Sequence, residues 1–249
     1  MSTTRYRRQI LIEQIGEEGQ LELTNSKIAV VGAGGLGSPI LYYLTAAGVG
    51  HIKIVDFDIF DVSNLNRQIL HNETRLGMSK ARSAFLTLSR LNSEIEVDYY
   101  ENKITIESAE EIFKDCDLII DAVDNIATRL VLNQHSIKHG VPVLFGAVES
   151  FEGYLYMFDP NNKDLPCYEC LFPNSSNCEK REIPIVGSTA GVIGTWQASE
   201  ALKYLVGYNY KNYFLKIDLL GNTIEKINFL RRNDCKACSE RGWCDVRYK

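Results

Sequence analysis

The chain has 249 residues, of which 45% are hydrophobic and 24% charged, a composition typical of a globular protein with a full apolar core. Its net charge of −5 argues against a nucleic-acid partner, because contact with a phosphate backbone usually requires a basic surface. Residues 28–52 carry no Asp, Glu, Lys or Arg, but six glycines and a proline in this stretch indicate a strand, a turn and a short helix rather than a membrane span.

The first 150 residues alternate strand and helix patterns. Apolar runs predict buried parallel strands, and apolar residues at helical spacing predict the connecting helices. This alternation predicts a Rossmann-like α/β fold with a doubly wound, mostly parallel sheet. We expect helices over 5–24, 35–48, 78–91 and 126–139, strands over 27–33, 51–56, 94–99, 117–122 and 141–147, and a polar loop over 57–66.

The second half has a different pattern. A strand over 153–158 precedes a long irregular stretch over 159–184, and a helix over 188–206 follows. Two further strands over 213–218 and 223–230 form a closing hairpin, so antiparallel strands extend the sheet. Because no linker separates the halves, we expect one domain over 1–249.

A glycine motif, G-x-G-x-x-G, lies between the first strand and the first helix of the sheet. Glycines there permit a tight turn and allow a phosphate group to approach the N–H groups at the helix N-terminus. The motif consists of Gly32, Gly34, Gly35 and Gly37. Asp56 ends the next strand, where a carboxylate can accept hydrogen bonds from ribose hydroxyls. These features predict a nucleotide site but do not distinguish NAD or FAD from ATP.

Charged and amide side chains follow the same strand ends. Because the carboxyl ends of strands in a doubly wound sheet converge on one crevice, we expect these side chains to meet near the nucleotide phosphates. They are Asn64, Arg67, Gln68, Lys80 and Asp124. Each also has an ordinary structural interpretation, since a lone Arg or Lys is usually a solvated charge and Asp124 could cap the next helix.

This set suits attack of a carboxylate on the α-phosphate of ATP. The nucleophile is already ionised at neutral pH, so the reaction needs no general base. Its barrier is charge repulsion, which cations on the phosphates and a Mg²⁺ ion held by Asp124 would lower. A dehydrogenase would need an acid or base at the hydride-transfer site, and the four histidines of the sequence form no recognisable group.

Two C-x-x-C pairs supply four thiolates, the ligand set of a closed tetrahedral zinc site. Cys167 and Cys170 form one pair, and Cys235 and Cys238 form the other. The 64 residues between the pairs make the site a tie between distant segments rather than a compact ribbon. A redox-active pair remains the alternative.

These motifs resemble the ThiF/MoeB family, relatives of the ubiquitin-activating enzymes. The likeness runs from about Arg5 to Cys238 and rests on R-Y-R-R-Q-I, G-A-G-G-L-G, I-V-D-F-D, S-N-L-N-R-Q-I-L-H and D-A-V-D-N. It implies that ATP binds at the glycine turn and that the four cysteines hold structural zinc. It also implies activation of the C-terminal Gly-Gly carboxylate of a ubiquitin-like sulfur-carrier protein as an acyl adenylate, before a separate sulfur donor completes a thiocarboxylate.

The resemblance also assigns individual residues. Asp56 would hold the ribose, and Asp124 would hold Mg²⁺. Arg8 matches an arginine that reaches the phosphates of a partner subunit, which implies a homodimer. The phosphates would be contacted by Asn64, Arg67, Gln68 and Lys80. Asp58 and Asn125 belong to the same motifs and are included in the predicted nucleotide site.

Cys178 lies outside both pairs, in the irregular stretch, beside Lys180 and Arg181. Nearby cations favour the reactive thiolate, and relatives in the family carry a cysteine in this region that can bond to the carrier. The segment between Cys178 and Gly191 departs from the family's usual pattern, which leaves carrier docking there open. An unreactive exposed thiol is the alternative.

Three other functions remain open at this stage. The same chemistry would serve a peptide or small carboxylate, an NAD- or FAD-dependent oxidoreductase would use the glycine turn and Asp56, and a scaffold could retain the fold without activity. We expect a cytoplasmic protein, because Arg5, Arg7 and Arg8 are not followed by an apolar signal core.

Overall fold

One eight-stranded sheet organises the chain. The computed structural model describes residues 3–173, 182–208 and 213–239. The strands are β1 Lys27–Val31, β2 His51–Val55, β3 Glu96–Tyr100, β4 Leu118–Asp121, β5 Val143–Glu149, β6 Glu152–Phe158, β7 Phe214–Asp218 and β8 Thr223–Ile227. Their order across the sheet is β3-β2-β1-β4-β5-β6-β7-β8.

The helices connect these strands and cover both faces of the sheet. They are α1 Thr3–Ile10, α2 Gly16–Asn25, α3 Gly37–Ala47, α4 Lys80–Leu91, α5 Ile106–Ile112, α6 Ile126–His139, α7 Tyr168–Leu171 and α8 Gly187–Leu205. Among the helices of these described ranges, none has the length and apolar character needed to cross a bilayer.

The first five strands are parallel, and their order reverses between β1 and β4. From β1 the chain builds outward through β2 and β3, then returns to pair β4 with the other side of β1. Such a switch point leaves a crevice at the carboxyl ends of the two central strands, where ligands of doubly wound sheets bind. β6, β7 and β8 then extend the sheet in antiparallel order, which confirms the predicted fold class.

The core has a layer on each face of the sheet, because successive side chains of a strand point to opposite sides. Val30 and Ile54 pack into one layer with α3, α4 and α8, whereas Val31 and Val55 pack into the other with α5 and α6. A Cβ at Gly194 would lie 2.5 Å from the Leu36 carbonyl oxygen, so this glycine allows α8 to approach the start of α3.

The prediction of one helix over 5–24 is wrong. The structure has two helices, α1 and α2, separated by a turn over 11–15. Gly16 takes a φ of +58°, which a continuous right-handed helix does not contain. The apolar spacing of the two helices runs on across this turn, so periodicity alone does not reveal the break.

Helix α5 was missed by the sequence analysis, although its N-terminus carries a recognisable signal. Thr105 accepts a hydrogen bond from the Ser108 N–H, and the Ser108 hydroxyl accepts one from the Thr105 N–H, which together form a capping box.

The stretch over 159–184, predicted to be irregular, contains the single turn of α7, and its residues 174–181 lie outside the described ranges.

Candidate functional site

A cleft of about 1020 Å³, part of it open to solvent, lies at the carboxyl ends of β1, β2 and β4. Its walls combine most of the residues that the sequence analysis assigned to the nucleotide. Those that line the cleft are Gly32, Gly34, Gly35, Asp56, Asp58, Arg67, Gln68, Lys80, Asp124 and Asn125.

The glycines of the motif have different tasks. Gly32 has a φ of +101°, and a Cβ on it would lie 2.5 Å from the Ala122 carbonyl oxygen. A Cβ on Gly37 would lie 2.0 Å from the Gly32 carbonyl oxygen, so Gly37 is buried beneath the turn and does not line the cleft. Gly34 and Gly35 face the cleft opposite Gln68 and Arg67, where their missing side chains leave room for a phosphate group.

His71 supports the glycine turn from behind. Its Nε2 lies 2.8 Å from the Ala33 carbonyl oxygen, and its Nδ1 lies 2.8 Å from Ser83 Oγ. A neutral ring that donates from Nε2 and accepts the Ser83 hydroxyl proton satisfies both contacts. Burial lowers the pKa of His71 to about 4, and the cation of Lys80 acts in the same direction. The neutral form therefore predominates at physiological pH.

Asp56 joins the glycine turn to the next loop. Its Oδ2 accepts a hydrogen bond of 2.8 Å from the Ala33 N–H, and its Oδ1 accepts one of 2.8 Å from the Asp58 N–H. Burial raises the pKa of Asp56, while these two backbone donors oppose the shift. The carboxylate is therefore fixed in position at the cleft wall, with lone pairs left for ribose hydroxyls.

Two of the cationic side chains that line the cleft lie on the 57–80 segment. Lys80 begins α4 and forms a salt bridge of 3.0 Å with Asp58. Arg67 donates from Nη1 to the Ser63 carbonyl oxygen and the Asn66 side chain. Both groups are thus held by acceptors of their own loop and can exchange these contacts for phosphate oxygens.

Asp124 and Asn125 follow β4. Asp124 is exposed at the cleft, and Asn125 caps α6 by accepting a 2.9 Å hydrogen bond from the Thr128 N–H. The alternative interpretation of Asp124 as the cap is therefore excluded, since its neighbour performs that task. The Asp124 carboxylate has no such structural partner in the described part of the chain and can ligate a cation.

A buried ion pair, missed by the sequence analysis, holds this segment in place. Asp121 accepts a 2.8 Å hydrogen bond from Arg129 Nε and another from the Val123 N–H. Arg129 also donates to the carbonyl oxygens of Val123 and Gly146. Complete burial raises the pKa of Asp121, and the guanidinium opposes that shift. The sequence did contain a sign of this ion pair, because Asp121 is an acidic residue within a strand predicted to be buried.

The structure does not bring every predicted residue to the cleft. Asn64 lies outside the lining, where its side chain accepts a hydrogen bond from the Asp61 N–H and completes the cap of a short 3₁₀ turn. Arg8 is exposed on α1, away from the cleft of its own chain. Cys178 lies outside the described residues.

The apolar wall of the cleft was not predicted and includes Phe57, Ile104, Val148, Ile183 and Ile185.

The four paired cysteines form one buried cluster. The sulfur of Cys167 lies 3.8 Å from that of Cys170 and 3.7 Å from that of Cys235, and the sulfurs of Cys170 and Cys238 are 3.4 Å apart. A tetrahedral ion with metal–sulfur bonds of about 2.3 Å separates its ligands by about 3.8 Å, which these spacings nearly match. The cluster can therefore hold one metal ion that ties α7 to the segment after β8.

The ThiF family model matches residues 6–239 of this chain. The sequence is 38% identical over 247 residues to the sulfur carrier protein adenylyltransferase of Thermus thermophilus, which covers 95% of this chain and 90% of that protein. It is 37% identical over 246 residues to the SAMP-activating enzyme E1 of Haloferax volcanii, covering 96% and 89% respectively. The chain belongs to the ThiF family.

Other relatives are longer. The adenylyltransferase and sulfurtransferase MOCS3 of Culex quinquefasciatus is 39% identical over 245 residues, which cover 95% of this chain but 55% of that protein. The chain thus spans about half the length of the MOCS3 relatives. The crystal structure of E. coli MccB with ATP has a TM-score of 0.84 at 22% identity and covers 94% of this chain and 74% of that one. This likeness establishes the fold.

Proposed function

We propose that this protein is an ATP-dependent adenylyltransferase that activates the C-terminal carboxylate of a ubiquitin-like sulfur-carrier protein ending in Gly-Gly. The observation that carries the proposal is the meeting of Arg67, Lys80 and Asp124 in the cleft beside the glycine turn. The names of the Thermus and Haloferax relatives support the class of substrate.

In this reaction a carboxylate oxygen of the carrier attacks the α-phosphorus of ATP. A new oxygen–phosphorus bond forms, the bond to pyrophosphate breaks, and the products are an acyl adenylate and pyrophosphate. Arg67 and Lys80 would offset the charge that grows on the leaving group, and Asp124 would hold the Mg²⁺ ion that accompanies ATP. Asp56 would position the ribose.

The same proposal includes the domain organisation, the zinc ion, the cellular location, the homodimer and the sulfur donor. One domain over 1–249 is supported by the single sheet that joins both halves of the chain. The near-tetrahedral spacing of the four sulfurs supports a structural Zn²⁺ ion, and a metal site built from cysteine pairs suits a cytoplasmic location. A homodimer would explain the exposed Arg8, which would reach the phosphates bound by its partner. A separate sulfur donor would complete the thiocarboxylate.

Exchange of labelled pyrophosphate into ATP tests the activity. We expect exchange with a sulfur carrier that ends in Gly-Gly, and none with the same carrier amidated at its C-terminus, because the amide lacks the attacking oxygen anion. Exchange with short peptides or small carboxylates, but not with any carrier, would contradict the substrate class. A flavin or nicotinamide absorbance in the purified protein, without exchange, would contradict the reaction itself.

Cys178 is proposed to bond covalently to the activated carrier during sulfur transfer. An acyl adenylate is readily attacked by a thiolate, with AMP as the leaving group. We expect Cys178→Ala to leave pyrophosphate exchange at the parent rate, because no thiol takes part in adenylylation, and to lower thiocarboxylate formation when the sulfur donor is supplied. Unchanged thiocarboxylate formation would make Cys178 a bystander.

A further inference from the structure

Two histidines lie one turn apart near the C-terminal end of α6, on the same face of the helix. The rings of His135 and His139 stack with centroids 4.5 Å apart. Glu110 of α5 faces them, with its Oε2 2.8 Å from His139 Nε2. One ligand atom from each of these three residues lies within 4.8 Å of the other two. Helix spacing of i and i+4 is the arrangement by which two imidazoles converge on one ion.

His135 is the buried member of this group. It is 6% exposed and packs edge-on against Phe113, with ring centroids 5.1 Å apart. Within the described residues, neither of its ring nitrogens forms a hydrogen bond with a protein group. A neutral imidazole keeps one ring nitrogen lone pair, which is therefore free to bind a cation beside His139 and Glu110.

We propose that Glu110, His135 and His139 form a binding site for a borderline divalent metal ion, with Zn²⁺ as the occupant, separate from the cysteine cluster. Two imidazole nitrogens and one carboxylate oxygen are ligands that Zn²⁺ prefers, and the exposure of His139 leaves the fourth position to water. The site would join α5 to α6 and lies apart from the nucleotide, since His135 is ten residues from Asn125, or about 15 Å along the helix.

Metal binding requires the two imidazole rings to turn out of their stacked arrangement, because the ion must lie in the plane of each ring that binds it. The ion would replace the hydrogen that bridges His139 and Glu110, and ordinary zinc bonds at a tetrahedral angle separate two such ligand atoms by about 3.4 Å. The side chains of His139 and Glu110 are 32% and 38% exposed, so they can separate from their present 2.8 Å. The hydrogen on His139 Nε2 moves to Nδ1 through solvent, which leaves the Nε2 lone pair for the metal.

Lys138 is a competitor for the carboxylate. Its ammonium lies 2.6 Å from Oε1 of Glu110, which leaves Oε2 to the metal, and its side chain is 60% exposed. Its positive charge opposes a bound cation, so its removal should strengthen binding. A second group, formed by His51, Glu96 and Asp98, offers only one imidazole and serves as the control.

Titration calorimetry with ZnCl₂, on protein whose cysteine cluster is already zinc-loaded, tests the site. We expect one additional equivalent of bound zinc. His139→Ala and Glu110→Gln, both at partly exposed positions, should each weaken binding at least about tenfold, the scale at which altered metal-site groups act. Lys138→Ala should bind at least as tightly as the parent, and His51→Ala should bind equally.

Imidazole NMR signals, observed while paramagnetic Co²⁺ is added to the same zinc-loaded protein, identify the ligands. We expect the signals of His135 and His139 to broaden first, and circular dichroism of each variant to match the parent. The proposal is overturned if no additional equivalent binds, if His139→Ala and Glu110→Gln retain parental affinity, or if the His51 signals broaden first.

Discussion

Asp124 illustrates how the backbone around one exposed residue is held in place by the hydrogen bonds of its neighbours. Its backbone segment is held by the Val123 contacts to Asp121 and Arg129, and by the cap that Asn125 provides for α6. The carboxylate itself remains at the cleft surface. Such prior orientation is what allows a single charged group to contribute strongly to a charge-stabilised reaction.

We expect Asp124→Ala and Arg67→Ala each to lower pyrophosphate exchange by at least about 100-fold, because in the proposed reaction each removes a cleft charge that would act on the phosphates. Asp164→Ala, at an exposed position outside the cleft, is the matched control and should exchange at the parent rate. If Asp124→Ala exchanged pyrophosphate at the parent rate in saturating Mg²⁺, the proposal that Asp124 holds the Mg²⁺ ion would be refuted.

His71 should make folding stability depend on pH. Burial lowers its pKa to about 4 in the folded protein, below the unfolded value of 6.5, and burial lowers the pKa of His135 to about 4 as well. The unfolded chain therefore binds more protons between these values, so stability is complete above about pH 6.5 and declines as the pH falls toward 4. Each unit of pKa difference corresponds to about 1.4 kcal/mol per group.

Urea unfolding at several pH values between 7 and 4 measures this dependence. We expect His71→Asn to lose part of the decline, with His135 accounting for a remainder. An identical decline in His71→Asn and in the parent would show that the ring is not kept neutral by its site.

At the scale of elements, two connections assemble the molecule from distant segments. The approach of α8 to α3 closes one face of the sheet, and the cysteine cluster links α7 to the chain after β8. The second link joins residues 68 positions apart, so a metal ion there would restrict the unfolded chain as well as stabilise the fold.

We expect one zinc ion in the cysteine cluster of each chain. Cys238→Ser should lower both the zinc content and the thermal midpoint, since a structural site couples metal binding to folding. Cys116→Ala is the matched control, because Cys116 is a buried thiol outside the cluster and should lose stability without losing zinc. Elemental analysis that finds no zinc in freshly purified parent protein, prepared without chelators, would refute the assignment.

At the scale of the whole molecule, the family resemblance assigns Arg8 to the phosphates bound by a partner subunit. Arg8 lies on the surface of α1 and does not line the cleft of its own chain. A second copy of the chain could supply this guanidinium, and a symmetric pair would then contain two composite sites.

A mixed-dimer experiment tests this arrangement. Arg8→Ala and Asp124→Ala should each be inactive alone, and mixing them should restore about one quarter of the parental sites, since half of the dimers are hybrids with one intact site each. Failure of the mixture to regain exchange, with hybrids verified by mass spectrometry, would place Arg8 outside the partner's site. A monomer with full activity in sedimentation would exclude the dimer.

The sequence by itself predicted those features of the protein that depend on short stretches of the chain. Buried parallel strands require continuous apolar runs, the glycine turn requires small residues at fixed positions, and a four-thiolate site requires two cysteine pairs. The nucleotide crevice and the cysteine cluster could therefore be placed from short segments. Periodicity failed at residues 11–16, where the turn keeps the apolar spacing of the flanking helices.

Only the tertiary structure decided which side chains share a site. Asp121 and Arg129 meet because the helix after β4 folds back over the sheet. Glu110 reaches His139 only because α5 packs against α6. The sequence determined the local conformations, whereas these contacts arise between separate elements and depend on the three-dimensional packing that brings those elements together.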